Sequence, residues 1–562
     1  MIARRCRPAL AVLAAAALCA CDEEPLGGDA QPGATRLVIL VTDGPDGPPL
    51  PARVVLYDDT GEQLRIGRLE YLDRFQSGGA CPLADGAYGT WEGIVLSTGS
   101  AEIPVGVSSG CNPSPAIPFG KYRARVTRGI EYEFFDVELD LRRDQGPVFL
   151  VAPIERAFEA EGTLAGDLHV HAGRSNDTLL PPALRVITEM AAGIQVLVSA
   201  DHNVNGNFQN DIDLLGAQAS IAAVPGNELS IDLGHFNIFP IAVDSRLPRG
   251  GALDPAKVGV MPASQLFAEI RNLPQRPLLQ VNHPRYRWGA YFDSAHWDGR
   301  SWPPPMPLDF DTVEILTGIN AYNVAGDERL EEMVTDFYTL AKNGVFKTAV
   351  GSSDTHHLSG VLAGMPRSYV YVDDPRTDPF DQDAFLAALR NRRVVATTGP
   401  WLDVVAGGGR TGETVRAEGG VVKITIGLRQ ASFVHANRIR VWIGGEVRYV
   451  LQVPEGATRF DWTSDEPVGA TDTWIGVDAA GDIALPIEIT GDDLWQLDRG
   501  GMKPRALINP ILVDADGDGA ISLAGAPPLG KPMDVWPVSR PAVEGAVGHC
   551  GCSSASWWNG PP

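Results

Sequence analysis

Ten histidines occur in this chain, and eight of them lie between His169 and His357. Their placement constrains the fold more than any other feature, because most sit at or just past the end of a short apolar run. Asp167-Leu168-His169-Val170-His171 ends one such run. Side chains two apart on a strand share a face, so His169 and His171 project together. Asp354-Thr355-His356 ends another run with the same spacing. Asp201-His202, Glu228 and His283 close three more. Where parallel strands alternate with helices, the C-terminal strand ends meet around one mouth. Residues far apart in sequence then converge.

The runs themselves support that alternation. "LAGDLHVH", "IQVLVSADH", "IAAVPGNEL", "HFNIFPIAV", "PLLQVNHP", "DTVEILTG" and "FKTAVGSSD" read as strands. "PPALRVITEMAA", "PASQLFAEIRNL", "RLEEMVTDFYTLAKNG" and "QDAFLAALRN" carry apolar residues at three- and four-residue spacing and read as helices. Pro181 and Pro262 suit helix starts, and Gly344 suits a C-cap. Residues 158–400 are therefore expected to form an α/β barrel. Short Val-, Leu-, Tyr- and Phe-rich runs parted by Gly, Pro and Asp predict β-sandwiches over 35–157 and again over 401–529.

The two ends of the chain have a different character. Arg4, Arg5 and Arg7 precede an apolar run from Ala9 to Leu18, and Leu18-Cys19-Ala20-Cys21 follows. This is the pattern of a lipoprotein signal peptide over 1–20, with the lipid on Cys21 and a tether over 21–34. The protein is then expected outside the cytoplasm, touching membrane only through that anchor. Residues 530–562 are rich in Pro, Gly and Ser and are expected to be a disordered tail. Loss of the leader takes the formal charge from −24 to −27. So acidic a surface argues against nucleic acid as substrate or partner, since phosphate binding runs on Lys and Arg. Of the remaining cysteines, Cys81 and Cys111 make a plausible bridge in an oxidising compartment, with the pairing of Cys550 and Cys552 open.

The series "DLHVH", "SND", "ADHN", "PGNE", "GHFN", "NHPR" and "GSSDTH" resembles the polymerase and histidinol phosphatase (PHP) family over roughly residues 160–400. It is most similar to the carbaryl-hydrolase-like branch. The resemblance implies a distorted (βα)7 barrel flanked by the two β-sandwiches. It also implies a metal-ligand set of His169, His171, Asp177, His202, Glu228, His235, His283, Asp354 and His356. Six imidazoles and three carboxylates exceed the needs of one four-coordinate ion and suit two or three. With no thiol among them, the set fits Zn, Mn or Fe. Taken singly, each residue is equally a satisfied strand-end side chain, and Asp201 or Asp354 equally a helix cap. The ordered set is what points to metal.

Hydrolysis of an ester-type bond in a small molecule follows as the expected activity, with hydroxide held between metals as nucleophile. The family implies a phosphoester; the nearer branch implies a carbamate or carboxylic ester. Asp201 is a candidate to orient a ligand or accept a proton, and Arg285 to clamp an anionic or carbonyl substrate. Glu314, inside "DTVEILTG", either lines the barrel or serves the site. The alternative is a cell-surface binding protein with a non-catalytic metal-binding barrel. Three weaker strings carry less. Gly106 to Gly110 matches a nucleophile elbow without the following helix. Gly407 to Gly412 matches a dinucleotide loop but precedes strands. Asp514, Asp516 and Asp518 open like a calcium loop, but the twelfth position is Gly525 rather than Glu.

Overall fold

The computed structural model describes residues 34–66, 81–108, 115–285, 289–318, 327–358, 360–491, 501–523 and 534–537. The leader, Cys21, the tether, Cys111, Cys550 and Cys552 lie outside them. Cys81 is buried.

Among the described residues nine strands come first: β1 (Arg36–Asp43), β2 (Ala52–Tyr57), β3 (Cys81–Ala84), β4 (Ala87–Thr90), β5 (Gly93–Leu96), β6 (Ser100–Pro104), β7 (Gly120–Thr127), β8 (Phe135–Leu141) and β9 (Pro147–Ile154). They build a three-stranded sheet, β6-β1-β9, and a six-stranded one, β3-β4-β5-β2-β7-β8. Alternation along β1 turns Leu37, Ile39 and Val41 inward. There they meet Val54, Leu56, Ile94 and Val126 in one core.

The central region follows: β10 (Thr163–Val170), α1 (Pro182–Ala191), β11 (Val196–Ser199), α2 (Gln209–Leu215), β12 (Ala222–Val224), β13 (Asn227–Ile231), β14 (Gly234–Phe239), α3 (Pro255–Val258), α4 (Ala263–Arg271), β15 (Leu278–Val281), α5 (Tyr291–Ser294), β16 (Thr312–Thr317), α6 (Asp327–Lys342), β17 (Thr348–Ser352), β18 (Arg367–Tyr371), α7 (Gln382–Arg390) and β19 (Val394–Thr397). Every residue of β10 is buried. Cover on both faces is why it is apolar apart from Thr163, Asp167 and His169. Helix α1 starts at Pro181-Pro182 and buries Val186, Ile187 and Met190. Helix α7 is capped by the Asp381 side chain on the Ala384 N–H and buries Phe385, Leu386 and Leu389.

These elements do not form the expected (βα)7 barrel. Strand accounts for 38% of the described residues and helix for 15%, and the strands divide among several sheets. Among the described residues no helix separates β12 from β13, β13 from β14, or β17 from β18. Strands β13 and β14 form an antiparallel hairpin, and β14 runs antiparallel to β15. Strand β18 runs antiparallel to both β10 and β19. The result is a sheet containing β12-β11-β10-β18-β19 and a separate sheet β13-β14-β15-β16-β17. Parallel pairing survives in β10–β11–β12 and β15–β16–β17. Apolar periodicity marks where a strand is, but not the direction in which it pairs. Two bridges, Val170 with Thr355 and His202 with Glu228, join the two sheets at the predicted ligands.

The C-terminal elements are β20 (Trp401–Ala406), β21 (Thr414–Arg416), β22 (Val421–Arg429), β23 (Arg438–Ile443), β24 (Glu446–Gln452), β25 (Arg459–Pro467), β26 (Thr473–Ala480), α8 (Ile487–Thr490), β27 (Arg505–Ile508) and β28 (Ile511–Asp514). Strands β20, β22 and β25 form a sheet of their own. The others extend the central sheet to eleven strands through an antiparallel β19–β27 pair. Asn509 stitches this seam. Its Oδ1 accepts from the Ala349 N–H (2.7 Å), and its Nδ2 donates to the Ala349 and Val394 carbonyls (both 3.0 Å). Part of the expected disordered tail is also held. Asp534 accepts the Ser264 N–H at the start of α4, and the Val535 carbonyl accepts the Ala263 N–H. These bonds satisfy donors that an unaided helix start leaves open.

Candidate metal centre

All nine predicted ligands converge on the junction of the two central sheets. Eight are buried, and His356 is the most open, with 19% of its side chain exposed. Their donor atoms fall into three overlapping groups: His171, Asp177, His202 and His356; His169, His171 and Asp354; and His202, Glu228 and His235. His283 Nε2 stands 3.4 Å from Glu228 Oε1. These buried clusters can hold metal.

Spacing supports that use. Ligands about 2.0–2.2 Å from a tetrahedral or octahedral ion stand about 3.0–3.5 Å from one another. His169 Nε2 lies 3.3 Å from Glu228 Oε1 and 3.2 Å from Asp354 Oδ1. His171 Nε2 lies 3.1 Å from Asp354 Oδ1, and His235 Nδ1 3.2 Å from Glu228 Oε1. His169 Nε2, His171 Nε2 and Asp177 Oδ1 are buried with no hydrogen-bond partner. Burying such atoms unmatched costs about 1–3 kcal/mol each, a cost that a bound cation removes. Glu228 is the hub, since Oε1 faces His169, His235 and His283 while Oε2 is 2.6 Å from His202 Nδ1.

The electrostatics match. Burial disfavours charge on His169, but Asp354, Glu314 and Glu228 outweigh it and hold its pKa well above the usual imidazole value. Burial and the neighbouring His356 push His171 down to about 3. Burial works against charge on Glu228 and Asp177 too, yet the surrounding imidazoles keep both carboxyls well below their ordinary range. Ionised carboxylates and a neutral His171 are the protonation states that ligands need, whereas His169 and His356, both raised against burial by neighbouring carboxylates, must shed a proton when a cation takes its place beside those carboxylates.

A second layer aims these groups. Glu314 is fully buried; its Oε1 is 2.7 Å from His169 Nδ1, and its Oε2 accepts the His283 N–H at 2.7 Å. An Nδ1–H donated to Glu314 leaves the Nε2 lone pair for the cluster. Ser175 Oγ is 3.2 Å from His171 Nδ1 and accepts the His202 N–H. Ser230 Oγ lies 2.6 Å from His202 Nδ1. Asn282 Nδ2 donates to Glu228 Oε1 at 2.8 Å. Asp167 accepts the Ser353 and Gly364 N–H groups and so ties the end of β10 to the segment after β17. His283 and Asp354 sit at φ +27° and +55°, a backbone cost that the surrounding bonds sustain. Gly289 has φ +68°, and a Cβ there would come within 2.4 Å of the His235 ring nitrogen Nε2.

Arg285 and Asp201, the two candidates for roles beyond the ligands, are both buried. The Arg285 guanidinium is turned into the protein. The residue is 3% exposed, and its guanidinium is already spent on Asp336 (2.7 and 3.0 Å), Asp293 (3.0 Å) and the Trp297 carbonyl (2.7 Å). Its place next to His283-Pro284 in sequence gave no hint of that partner on α6. Asp201 is buried, and burial pushes its pKa up to about 6. Its Oδ1 accepts the Ala172 N–H at 2.8 Å, so it holds the loop after His171. Among neighbours, Asn203 bonds to the Ser230 backbone, and the Tyr291 hydroxyl donates to the Pro307 carbonyl. His357 belongs to none of the ligand groups.

Sequence reading left Glu314 undecided and missed Ser175, Ser230 and Asn282. A lone acid in an apolar strand was the available signal for Glu314; polar residues beside ligands carry none so specific. A further acidic group, Asp472 with Asp514 and Asp516, lies on the C-terminal strands. Both Asp472 oxygens and both Asp514 oxygens already accept backbone N–H groups, as in a plain acidic turn. Comparison with known proteins finds no matching family, no matching curated protein and no matching solved structure.

Proposed function

We propose that the chain is a metal-dependent hydrolase of ester-type bonds in small molecules, working outside the cytoplasm on a Cys21 lipid anchor. The observation that carries this is the convergence of nine ligand-type side chains, with His169 Nε2, His171 Nε2 and Asp177 Oδ1 buried among them without a hydrogen-bond partner. The order of those ligands along the chain resembles that of PHP-family hydrolases, which adds weight to hydrolysis over binding alone. Two or three divalent ions, Zn, Mn or Fe, fit the three donor groups; when bound they supply Lewis acidity and acidify water near neutral pH.

The protein's own residues set the rest. His356, Asp177, His235 and His202 retain 19%, 10%, 8% and 7% side-chain exposure, whereas His169 and Glu228 have 1% or less. Substrate therefore approaches over the first four, and the deeper groups hold the frame. Glu314, Ser175 and Ser230 fix the imidazole orientations. A phosphoester and a carbamate or carboxylic ester both develop negative charge that such a centre stabilises, so both belong in the assay.

The test is metal content together with a chromogenic ester panel. Purified protein should hold at least one equivalent of divalent metal and turn over an ester. A His169→Ala, His171→Ala double variant should lose both while remaining folded by circular dichroism. Metal below one equivalent, with no turnover after Mn²⁺ or Zn²⁺ is added, would overturn the proposal and leave a surface binding protein as the better account.

A further inference from the structure

Side chains on strands and helices hold a metal site more tightly than side chains on loops. Seven of the nine ligands lie on a strand or within three residues of its end. Asp177 and His356 stand farther out, in the segments that join β10 to α1 and β17 to β18. They are also the two most exposed ligands, and they face each other, with His356 Nε2 3.0 Å from Asp177 Oδ2. One bond ties their segments together, from the Thr178 hydroxyl to the His356 carbonyl (2.6 Å). Further support comes from outside the central region.

The β4–β5 hairpin reaches both segments from the N-terminal sheets. Glu92, in its turn and 3% exposed, accepts the Gly360 N–H on Oε1 at 3.2 Å. Tyr88 on β4 packs against Leu180, which follows Asp177 by three residues, and Leu358, which follows His356 by two. Val95 on β5 shares a core with Val186 and Met190 of α1, so the hairpin is seated on the central region. Helix α8 grips the same loop. The Thr490 carbonyl accepts the Leu362 N–H at 3.1 Å, and a Cβ on Gly491 would lie 1.5 Å from the Gly360 carbonyl oxygen.

We propose that Glu92 and Tyr88 are positioning residues for the metal centre, by which the N-terminal sheets hold the most open donor group, His171, Asp177, His202 and His356, in its binding geometry. This rests on the proposed metal centre and adds that the flanking sheets complete it. Glu92 has a second duty that the test must separate. Burial works against charge on Arg53 of neighbouring β2, and the Glu92 carboxylate works for it.

The test reads metal rather than turnover, on the full-length protein loaded with Zn²⁺. Glu92→Leu removes the acceptor for Gly360, whereas Glu92→Gln keeps one; both take a negative charge from beside Arg53, so both should lower the thermal midpoint. Only Glu92→Leu should lose metal. In its crystals the anomalous zinc peak beside Asp177 and His356 should weaken relative to the peak beside His235. In chelator competition its weakest-held equivalent should bind about tenfold less tightly, and Glu92→Gln should match the wild type. Tyr88→Ala should behave as Glu92→Leu does and Tyr88→Phe as the wild type, which decides the matter even where Glu92→Leu does not fold. Unchanged peaks and affinity in Glu92→Leu and Tyr88→Ala, or an equal loss in Glu92→Gln, would overturn the proposal and leave the metal centre standing. A wild type with no zinc beside Asp177 and His356 would overturn both.

Discussion

At the scale of single residues, the centre depends on side chains that never touch metal. Glu314 orients His169 through Nδ1 and holds the His283 backbone. Glu314→Gln keeps the shape but removes the charge that fixes the imidazole tautomer. Metal affinity should fall about 10- to 100-fold, read by chelator competition, with the fold retained. Arg285 makes the opposite point. Its partner Asp336 is fully buried, so Asp336→Ala strands a guanidinium in the core. A loss of about 3–5 kcal/mol in denaturant unfolding is expected. Lys347 gives a pH signature. Burial lowers its ammonium pKa to about 8 from an ordinary 10.5, while Nζ donates to the Phe310 carbonyl. Between those values the unfolded chain binds more protons than the folded one, so stability rises with pH. Unfolding of the wild type measured against Lys347→Met should show that rise above about pH 8; parallel curves would refute it.

At the scale of elements, α1 does more than cover β10 and β11. Arg185, 1% exposed, donates Nε to the His171 carbonyl (3.0 Å), Nη1 to Thr355 Oγ1 (3.0 Å) and Nη2 to the His357 carbonyl (3.3 Å). It thus braces the first ligand loop against the last. Arg185→Met should weaken metal binding about 10- to 100-fold by chelator competition, and should broaden the electronic spectrum of a Co²⁺-loaded sample. An unchanged spectrum and affinity would reduce Arg185 to ordinary packing. The same elements show what a sequence conveys. "LAGDLHVH" and "FKTAVGSSD" were legible as β10 and β17 because the strands within them bury every residue and so are largely apolar. The β13–β14 hairpin and the antiparallel β18 and β19 were not legible as such. Pairing direction depends on which edge is free when a strand docks, and no residue near Asn227 or Arg367 encodes that locally.

At the scale of the whole molecule, the central region and the C-terminal strands share one sheet through β19 and β27. Their apolar core is also continuous, running from Val186 and Met190 to Ile475 and Ile508. A fragment cut to residues 158–400 would expose the β19 edge and one side of that core. It is expected to aggregate or to lack a cooperative thermal transition by circular dichroism, whereas a soluble, cooperatively folding fragment would show the two units to be separable. An unpaired apolar edge strand is a ready site for such aggregation.

The sequence by itself determined the chemistry of the centre. Imidazoles and carboxylates are written in the residues, and period-two spacing puts His169 beside His171 on any strand they join. It also determined where most strands and helices lie, since periodicity is local. The tertiary structure alone decided how the strands pair, which turned an expected barrel into two bridged sheets. It likewise decided that Glu314 faces His169 while Arg285 turns to Asp336. Those outcomes rest on contacts between residues 51 to 145 positions apart, and burial and partner geometry at such separations arise only once the chain has folded.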